Sequence, residues 1–174
     1  MCALVLSWIE WHGSDTPGTT VGELATNLNF GSADTVDITP ANSKILRTDG
    51  FSYFKQGKFN FSGSCTQIDN VRVHKSAGVY KTEETLEFSG GISVSVPDET
   101  DQGWATIGTS LPGSANVILP NLTTDVLLQA DSISSPGYTS GSRSGVVGFQ
   151  LAVTTNTETG AVNEKTVTIT WDEA

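Results

Sequence analysis

Two stretches near the C-terminal end of the sequence alternate apolar with polar or small residues. The apolar members of the two stretches are Phe149, Leu151, Val153, Val167, Ile169 and Trp171. A period of two gives a strand one buried side and one solvent-facing side, which is typical of antiparallel sheets. The residues between them, 156–163, contain Thr, Asn and Gly160 and suit a hairpin connection. We therefore expect two long strands paired with each other, against which the other strands pack.

The rest of the chain gives short strand signals separated by turn residues. Charged residues make up only 16% of the 174 positions, and the abundant Gly, Ser and Thr favour strands and turns over helices. Further strands are expected at 3–11, 51–62, 66–75, 85–88, 92–96 and 104–107, with Gly57 as a bulge or a tight turn. The prediction is one all-β domain over residues 1–174, an antiparallel β-sandwich or jelly-roll.

The net charge of the chain is −10. A surface this acidic repels phosphate, so nucleic acid is not an expected partner. The apolar run within residues 1–11 lacks the basic region and the cleavage site of a signal peptide, and it is too short to span a bilayer. We expect no membrane association and a protein that stays in the cytoplasm where it is made.

Candidate disulfide and metal sites are few. Cys2 and Cys65 lie in no metal-binding spacing, and we interpret them as two reduced thiols, with a disulfide as the alternative. Asp98, Glu99 and Asp101 fall within four residues of one another. They lack the fixed ligand positions of an EF-hand loop, so we interpret them as a solvated acidic loop, with a Ca²⁺ site as the alternative. No cofactor is expected.

The sequence offers no clear catalytic constellation. His12 and His74 are far apart, and no GxSxG elbow accompanies them. Glu83, Glu84 and Glu87 would supply the acid and base of a glycosidase in principle, but carboxylates are common on exposed strand faces. We therefore expect no catalytic residues and no enzymatic activity.

Four tryptophans raise a carbohydrate-binding alternative. We assign Trp8 and Trp171 to the core, because tryptophan in an alternating strand usually packs inward. Trp11 and Trp104 stay open between the core and an exposed platform for sugar rings. Exposure of both on one concave surface would favour a carbohydrate-binding β-sandwich module.

Three segments resemble a known group of proteins. They read LNFGSAD from Leu28, GFSYFKQGKFNFSGSCTQIDNVRVHKSAG from Gly50, and VTITWDEA at the C-terminal end. In this order they resemble a group of virion structural proteins from tailed bacteriophages, over about half of the chain. One departure is His74, where an aromatic residue such as Trp is more usual in the group.

The resemblance implies a non-enzymatic virion protein, first of all a capsid decoration (cement) protein that stabilises the head. A tail or fibre component that contacts the host is the alternative within the same particle. The implied partners are the major capsid protein or other virion proteins, together with further copies of the chain in a cyclic homo-oligomer such as a trimer. Residues 1–11, as a contact arm, and the Ser- and Gly-rich residues 132–145 are the expected contact regions.

Overall fold

The computed structural model describes residues 3–13, 23–25, 28–35, 45, 50–64, 68–108, 142–143, 146–154 and 164–173. Within these ranges the protein is all-β and contains no helix. No helix capable of crossing a membrane is therefore found in the described ranges. The strands are β1 (Ala3–Trp11), β2 (Glu23–Ala25), β3 (Lys55–Ser64), β4 (Ile68–Ala77), β5 (Glu84–Gly90), β6 (Ala105–Thr106), β7 (Ser142–Arg143), β8 (Val147–Val153) and β9 (Thr166–Glu173).

The described strands form two antiparallel sheets. The large sheet has the order β2-β1-β3-β8-β5-β6, with β7 also pairing with β3, and the small sheet consists of β4 and β9. Both C-terminal strands predicted from the alternation are confirmed, but the prediction that they pair with each other is wrong. β8 lies between β3 and β5, whereas β9 pairs with β4. Alternation specifies which side of a strand is buried, and it does not specify the neighbouring strand.

One side of the large sheet, the core face, carries its aromatic and branched side chains. Directly opposed residues of an antiparallel pair lie on the same face, and Trp8 opposes Phe59 while Phe88 opposes Phe149. The ring centroids of these two pairs are 5.2 and 4.9 Å apart. Burying each such side chain stabilises the fold by about 1.5–3 kcal/mol.

The small sheet contributes to the same core. Val73 of β4 is completely buried and belongs to the hydrophobic cluster of the core face. Val167, Ile169 and Trp171 of β9 pack against that cluster while remaining partly exposed. The expectation that Trp8 and Trp171 face the core is confirmed.

Gly57 is neither a bulge nor a turn, which corrects the sequence prediction. β3 runs through it with an unbroken register against β1, and Gly57 lies opposite Glu10. A Cβ at this position would come within 2.5 Å of the Trp8 ring and still closer to the Ile9 carbonyl oxygen. Gly57 is therefore required by the close approach of the indole and the neighbouring strand.

The other strand predictions have mixed outcomes. Residues 85–88 lie inside β5, and the short strand at 104–107 is reduced to β6. Residues 92–96 form no strand, because only the Ile92 amide, bonded to Val146, and the main-chain groups of Ser95, bonded to the Gln56 side chain, have partners among the described residues. Of the expected loop at 132–145, only Ser142 and Arg143 are described, and they form β7. The connection expected at 156–163 lies outside the described residues.

Candidate functional site

The opposite side of the large sheet, which we call the loop face, is covered by residues 91–104, the covering segment. This segment contains no strand or helix. Under it lie Gln56 of β3 and Gln150 of β8, both with 0% exposure. A buried amide that lacks hydrogen bonds costs about 1–3 kcal/mol, so the contacts of these two side chains determine how the segment is held.

Gln56 binds the covering segment in the way that a neighbouring strand would. Its Nε2 donates to the carbonyl oxygen of Ser95 at 2.6 Å, and its Oε1 accepts from the Ser95 amide at 3.2 Å. The side-chain amide thus bonds both main-chain groups of one residue, as happens in an antiparallel ladder.

Gln150 holds the next part of the covering segment. Its Nε2 donates to the carbonyl oxygens of Thr100 and Ser52, each at 2.9 Å, and its Oε1 accepts from the Gln102 amide at 3.2 Å. The Phe54 amide adds a bond to the Asp98 carbonyl oxygen at 3.1 Å. On the sheet side, the Ser52 carbonyl oxygen and the Phe54 amide belong to buried residues, where a main-chain group needs a hydrogen-bond partner.

Trp104 closes the end of the covering segment. Its indole lies directly over Gly148 of β8, where any Cβ would overlap the ring. The ring also makes an edge-to-face contact with Phe54, with centroids 5.7 Å apart. Trp104 therefore serves as the apolar anchor of a segment that is otherwise held by amides.

The acidic loop predicted at Asp98, Glu99 and Asp101 is an exposed turn within the covering segment. Asp98 Oδ1 accepts from the amide and the hydroxyl of Thr100 at 2.9 and 2.6 Å, and Asp101 Oδ1 accepts from the Gly103 amide at 2.7 Å. These are the local side-chain to main-chain bonds by which Asp stabilises turns. Among the described residues, no group of three or more His, Cys, Asp or Glu is arranged to hold a metal ion.

A buried ionic network lies at one end of the core face. Glu10 and Lys55 are 1% and 0% exposed, and the Lys55 ammonium lies 3.0 Å from Glu10 Oε1. Lys55 also donates to the Thr35 carbonyl oxygen. The Trp8 indole nitrogen donates to Glu10 Oε2 at 3.0 Å. The pair thus supplies each charge with a partner inside the protein, which a buried ion requires.

His12 extends this network towards the surface. Its Nδ1 lies 2.8 Å from Asp34 Oδ1 and its Nε2 lies 3.5 Å from Glu10 Oε1. The hydrogen bond to Asp34 and the charges of both carboxylates raise the pKa of His12, against the lowering effect of burial and of Lys55. Asp34 also accepts the Gly13 amide at 2.5 Å, so the ring joins β1 to the 28–35 segment.

A second buried pair lies between β5 and the start of β9. Glu84 Oε1 is 2.6 Å from the Lys165 ammonium, and Glu84 Oε2 accepts the Lys81 amide at 2.8 Å. The Tyr80 ring lies 5.6 Å from this ammonium and 4.8 Å from that of Lys75. Glu84 thus connects the large sheet to the residue before the second strand of the small sheet.

The remaining predicted site residues are distributed through the fold. Of the three glutamates weighed as a glycosidase pair, Glu84 is buried in its ion pair and Glu83 contacts Thr154. Burial, followed by the charge of Asp101, raises the pKa of Glu87 on the loop face. His74 is buried in β4, whereas His12 directly follows β1 and is far from His74 in the sequence. Cys2 and Cys65 lie outside the described residues.

The tryptophans bear on the carbohydrate-binding alternative. Trp11 is 1% exposed and Trp104 is half-buried against Gly148. Only one of the two rings is therefore even partly accessible, which removes the paired platform on which that alternative depended. β1, expected to be a contact arm, pairs with β3 along its whole length and with β2 at Trp8–Glu10; its role in contacts stays a prediction.

Four residues that organise the two faces are not among those predicted from the sequence, namely Glu10, Lys55, Gln56 and Gln150. A signal for the ion pair was present. Lys55 and Phe59 are an even number of positions apart along β3, as are Glu10 and Trp8 along β1. Both charged side chains therefore lie on the apolar side of the sheet. Two opposite charges on the core side of adjacent strands predict a buried pair, whereas nothing in the sequence distinguishes the two buried glutamines from exposed ones.

Comparisons with known proteins add no family to this description. No family model matches the chain, and neither curated proteins nor solved structures give a match.

Proposed function

We propose that this protein is a non-enzymatic structural component of a tailed-bacteriophage particle, and specifically a capsid decoration protein that binds the major capsid protein. The segments beginning at Leu28 and Gly50 and the C-terminal eight residues support the particle assignment through their resemblance to virion structural proteins. The fold we propose with it is an antiparallel β-sandwich, in which the small sheet packs on the core face. The shared cluster of Val73 with the large-sheet aromatic residues supports this packing.

The observation that carries the proposal is the use of buried polar side chains as structural ties. Glu10 pairs with Lys55 and Glu84 pairs with Lys165, while Gln56 holds the covering segment to the sheet. Such ties hold loops and strands in one arrangement, which suits a protein that clamps neighbouring subunits of a lattice. With a net charge of −10, many copies on a particle would also present a strongly hydrated outer surface.

Electron cryo-microscopy of the intact particle tests the proposal. We expect density for this fold on the outer capsid lattice, at local threefold or quasi-threefold positions, in a cyclic oligomer such as a trimer. Density in the tail or at fibre tips would overturn the decoration role in favour of a tail or fibre component. A mass-spectrometric inventory of purified particles that lacks this chain would overturn the particle assignment itself.

A further inference from the structure

The outward side of the covering segment exposes two valines. Val94 and Val96 are 37% and 61% exposed, and Ser93 and Ser95 beside them are exposed as well. Valine is among the residues most often found fully buried. Pro97, which follows directly, is buried and ends the exposed run.

The main chain of this run is only partly used by the protein. Ser95 exchanges both of its main-chain bonds with Gln56. Within the described part of the chain, the main-chain groups of Ser93, Val94 and Val96 have no hydrogen-bond partner. The run lies outside the sheet, but exposed valines beside open N–H and C=O groups are the same features that allow a strand to be added at a sheet edge.

Negative charge without a cationic partner adjoins this edge. Asp98, Glu99 and Asp101 follow Pro97, and none of them forms an ion pair in the described part of the chain. Asp101 is close enough to Glu87 to raise its pKa through charge repulsion. The electrostatic potential at this end of the covering segment is therefore complementary to a cation.

We propose that residues 93–96 form a docking edge for an extended, positively charged segment of a partner protein. The partner segment adds as a strand along the open main-chain groups, packs apolar side chains on Val94 and Val96, and places Lys or Arg beside Asp98, Glu99 and Asp101. Main-chain bonds supply affinity in this mode, and the alternate side chains supply specificity.

A second copy of this chain is a poorer occupant of the same edge. Each copy carries a net charge of −10, so bringing another copy against an acidic turn adds like-charge repulsion. A basic segment has the opposite sign and relieves the repulsion between Asp101 and Glu87. The proposal concerns this edge alone and does not depend on the capsid assignment.

The test uses the full chain and a defined probe, a fluorescently labelled seven-residue peptide of alternating Lys and Val with capped ends. Fluorescence polarisation should give saturable binding with a Kd of about 1 mM or tighter. Binding should weaken as salt is added. The peptide should also slow hydrogen exchange at the amides of Val94 and Val96, which in an extended segment point away from Gln56 because they alternate with Ser95. This last measurement needs no variant, so it tests the edge even where a substitution disturbs the fold.

Matched variants locate the site. Val96→Lys places a like charge on the edge and should weaken peptide binding by roughly tenfold or more. Val79→Lys makes the same change at another exposed valine, 72% exposed, and should leave binding unchanged. A peptide of alternating Glu and Val, and a Lys–Val peptide with N-methyl groups along one edge, should both fail to bind.

Three outcomes would overturn the proposal: no binding at millimolar peptide, equal losses in both valine variants, or full binding of the N-methylated peptide. A particle without this chain would contradict the proposed function only, whereas these peptide results would contradict the docking edge only.

Discussion

The two faces of the large sheet are buried by different means. The core face is covered through ring and branched side-chain contacts, such as Trp8 on Phe59 and Phe88 on Phe149. The loop face is covered by an irregular segment held mainly by the amides of Gln56 and Gln150. Apolar burial contributes about 1.5–3 kcal/mol per large side chain, whereas a hydrogen bond contributes about 1 kcal/mol net. The covering of the loop face should therefore be less stable than that of the core face. The two glutamines also show that a polar residue in an alternating strand need not face water.

The largest effect is expected from breaking the ion pair on the core face. Lys55→Met removes the nearer cation and leaves the Glu10 carboxylate, 1% exposed, with only the more distant His12 Nε2 at 3.5 Å. Removing one partner of a buried pair costs about 3–5 kcal/mol of stability. Urea unfolding followed by tryptophan fluorescence measures this loss.

The double variant Glu10→Gln/Lys55→Met is the control for that prediction. It removes both charges, so most of the stability lost in the single variant should return. A single variant that loses less than about 1 kcal/mol would mean that the pair behaves like an exposed one.

Two glycines allow the same substitution to be made on each face. Gly57→Ala places a methyl group against the Trp8 ring and the Ile9 main chain, whereas the atoms nearest to a methyl group in Gly148→Ala belong to the Trp104 ring. Backbone cannot move away from the first methyl group, but the covering segment can lift from the second. We expect losses of about 3 kcal/mol for Gly57→Ala and about 1 kcal/mol for Gly148→Ala. Equal losses would show that the covering segment is as rigid as the core.

Removing an amide anchor should loosen the loop face alone. Gln150→Met keeps the side-chain volume but removes the partner of the Gln102 amide and of the Ser52 carbonyl oxygen, and one of the two donors to the Thr100 carbonyl oxygen. The expected loss is about 1–3 kcal/mol. Hydrogen exchange should become faster at Gln102 while the amides of β3 and β8 stay protected. Faster exchange throughout the sheet would contradict the independence of the two faces.

The sequence predicts the strands of this protein better than their partners. Phe149, Leu151 and Val153 all face the core as the alternation indicates. Their pairing was mispredicted because nearness in sequence favours a hairpin, while the actual neighbours of β8 come from residues 55–57 and 84–90. The pairing of distant strands depends on how all the strands together bury their apolar sides. The sequence of one strand alone does not determine it.

The loop face was the less predictable part. Gln150 occupies a polar position in a strand, and exposure is the ordinary expectation for such a residue. Its burial depends on the covering segment, in which residues 92–96 alternate like a strand and residues 97–103 have the composition of an acidic loop. Gln150 bonds the main chain of the covering segment, and any residue can supply main-chain groups. The residue types in the segment therefore do not reveal that it binds Gln150.

A smaller, pH-dependent effect distinguishes the core face. The pKa of His12 is raised above 6.5, chiefly by its hydrogen bond to Asp34. The protonated ring therefore stabilises the fold fully below pH 6.5, and this contribution is lost as the pH rises through the folded-state pKa. Urea unfolding at a series of pH values should show a decline across the neutral range that His12→Gln abolishes. An identical pH profile in the variant would contradict this role.

The smallest effect is expected from Glu87 on the loop face. Burial and the charge of Asp101 raise its pKa above 4.5, so the folded state holds this proton more tightly than the unfolded chain. The contribution of Glu87 to stability is therefore greatest below pH 4.5 and is lost as the pH rises through its folded-state pKa, which is opposite to the usual carboxylate. Glu87→Gln has no proton to lose and should be more stable than the parent at neutral pH, by less than about 1 kcal/mol because the group is partly exposed. Asp101→Asn should give part of the same gain, since it removes the repelling charge. The Glu87 carboxylate also accepts a hydrogen bond from the Trp104 main chain, which lowers its pKa. A loss of stability in Glu87→Gln at neutral pH would mean that this bond outweighs the cost of burying the charge.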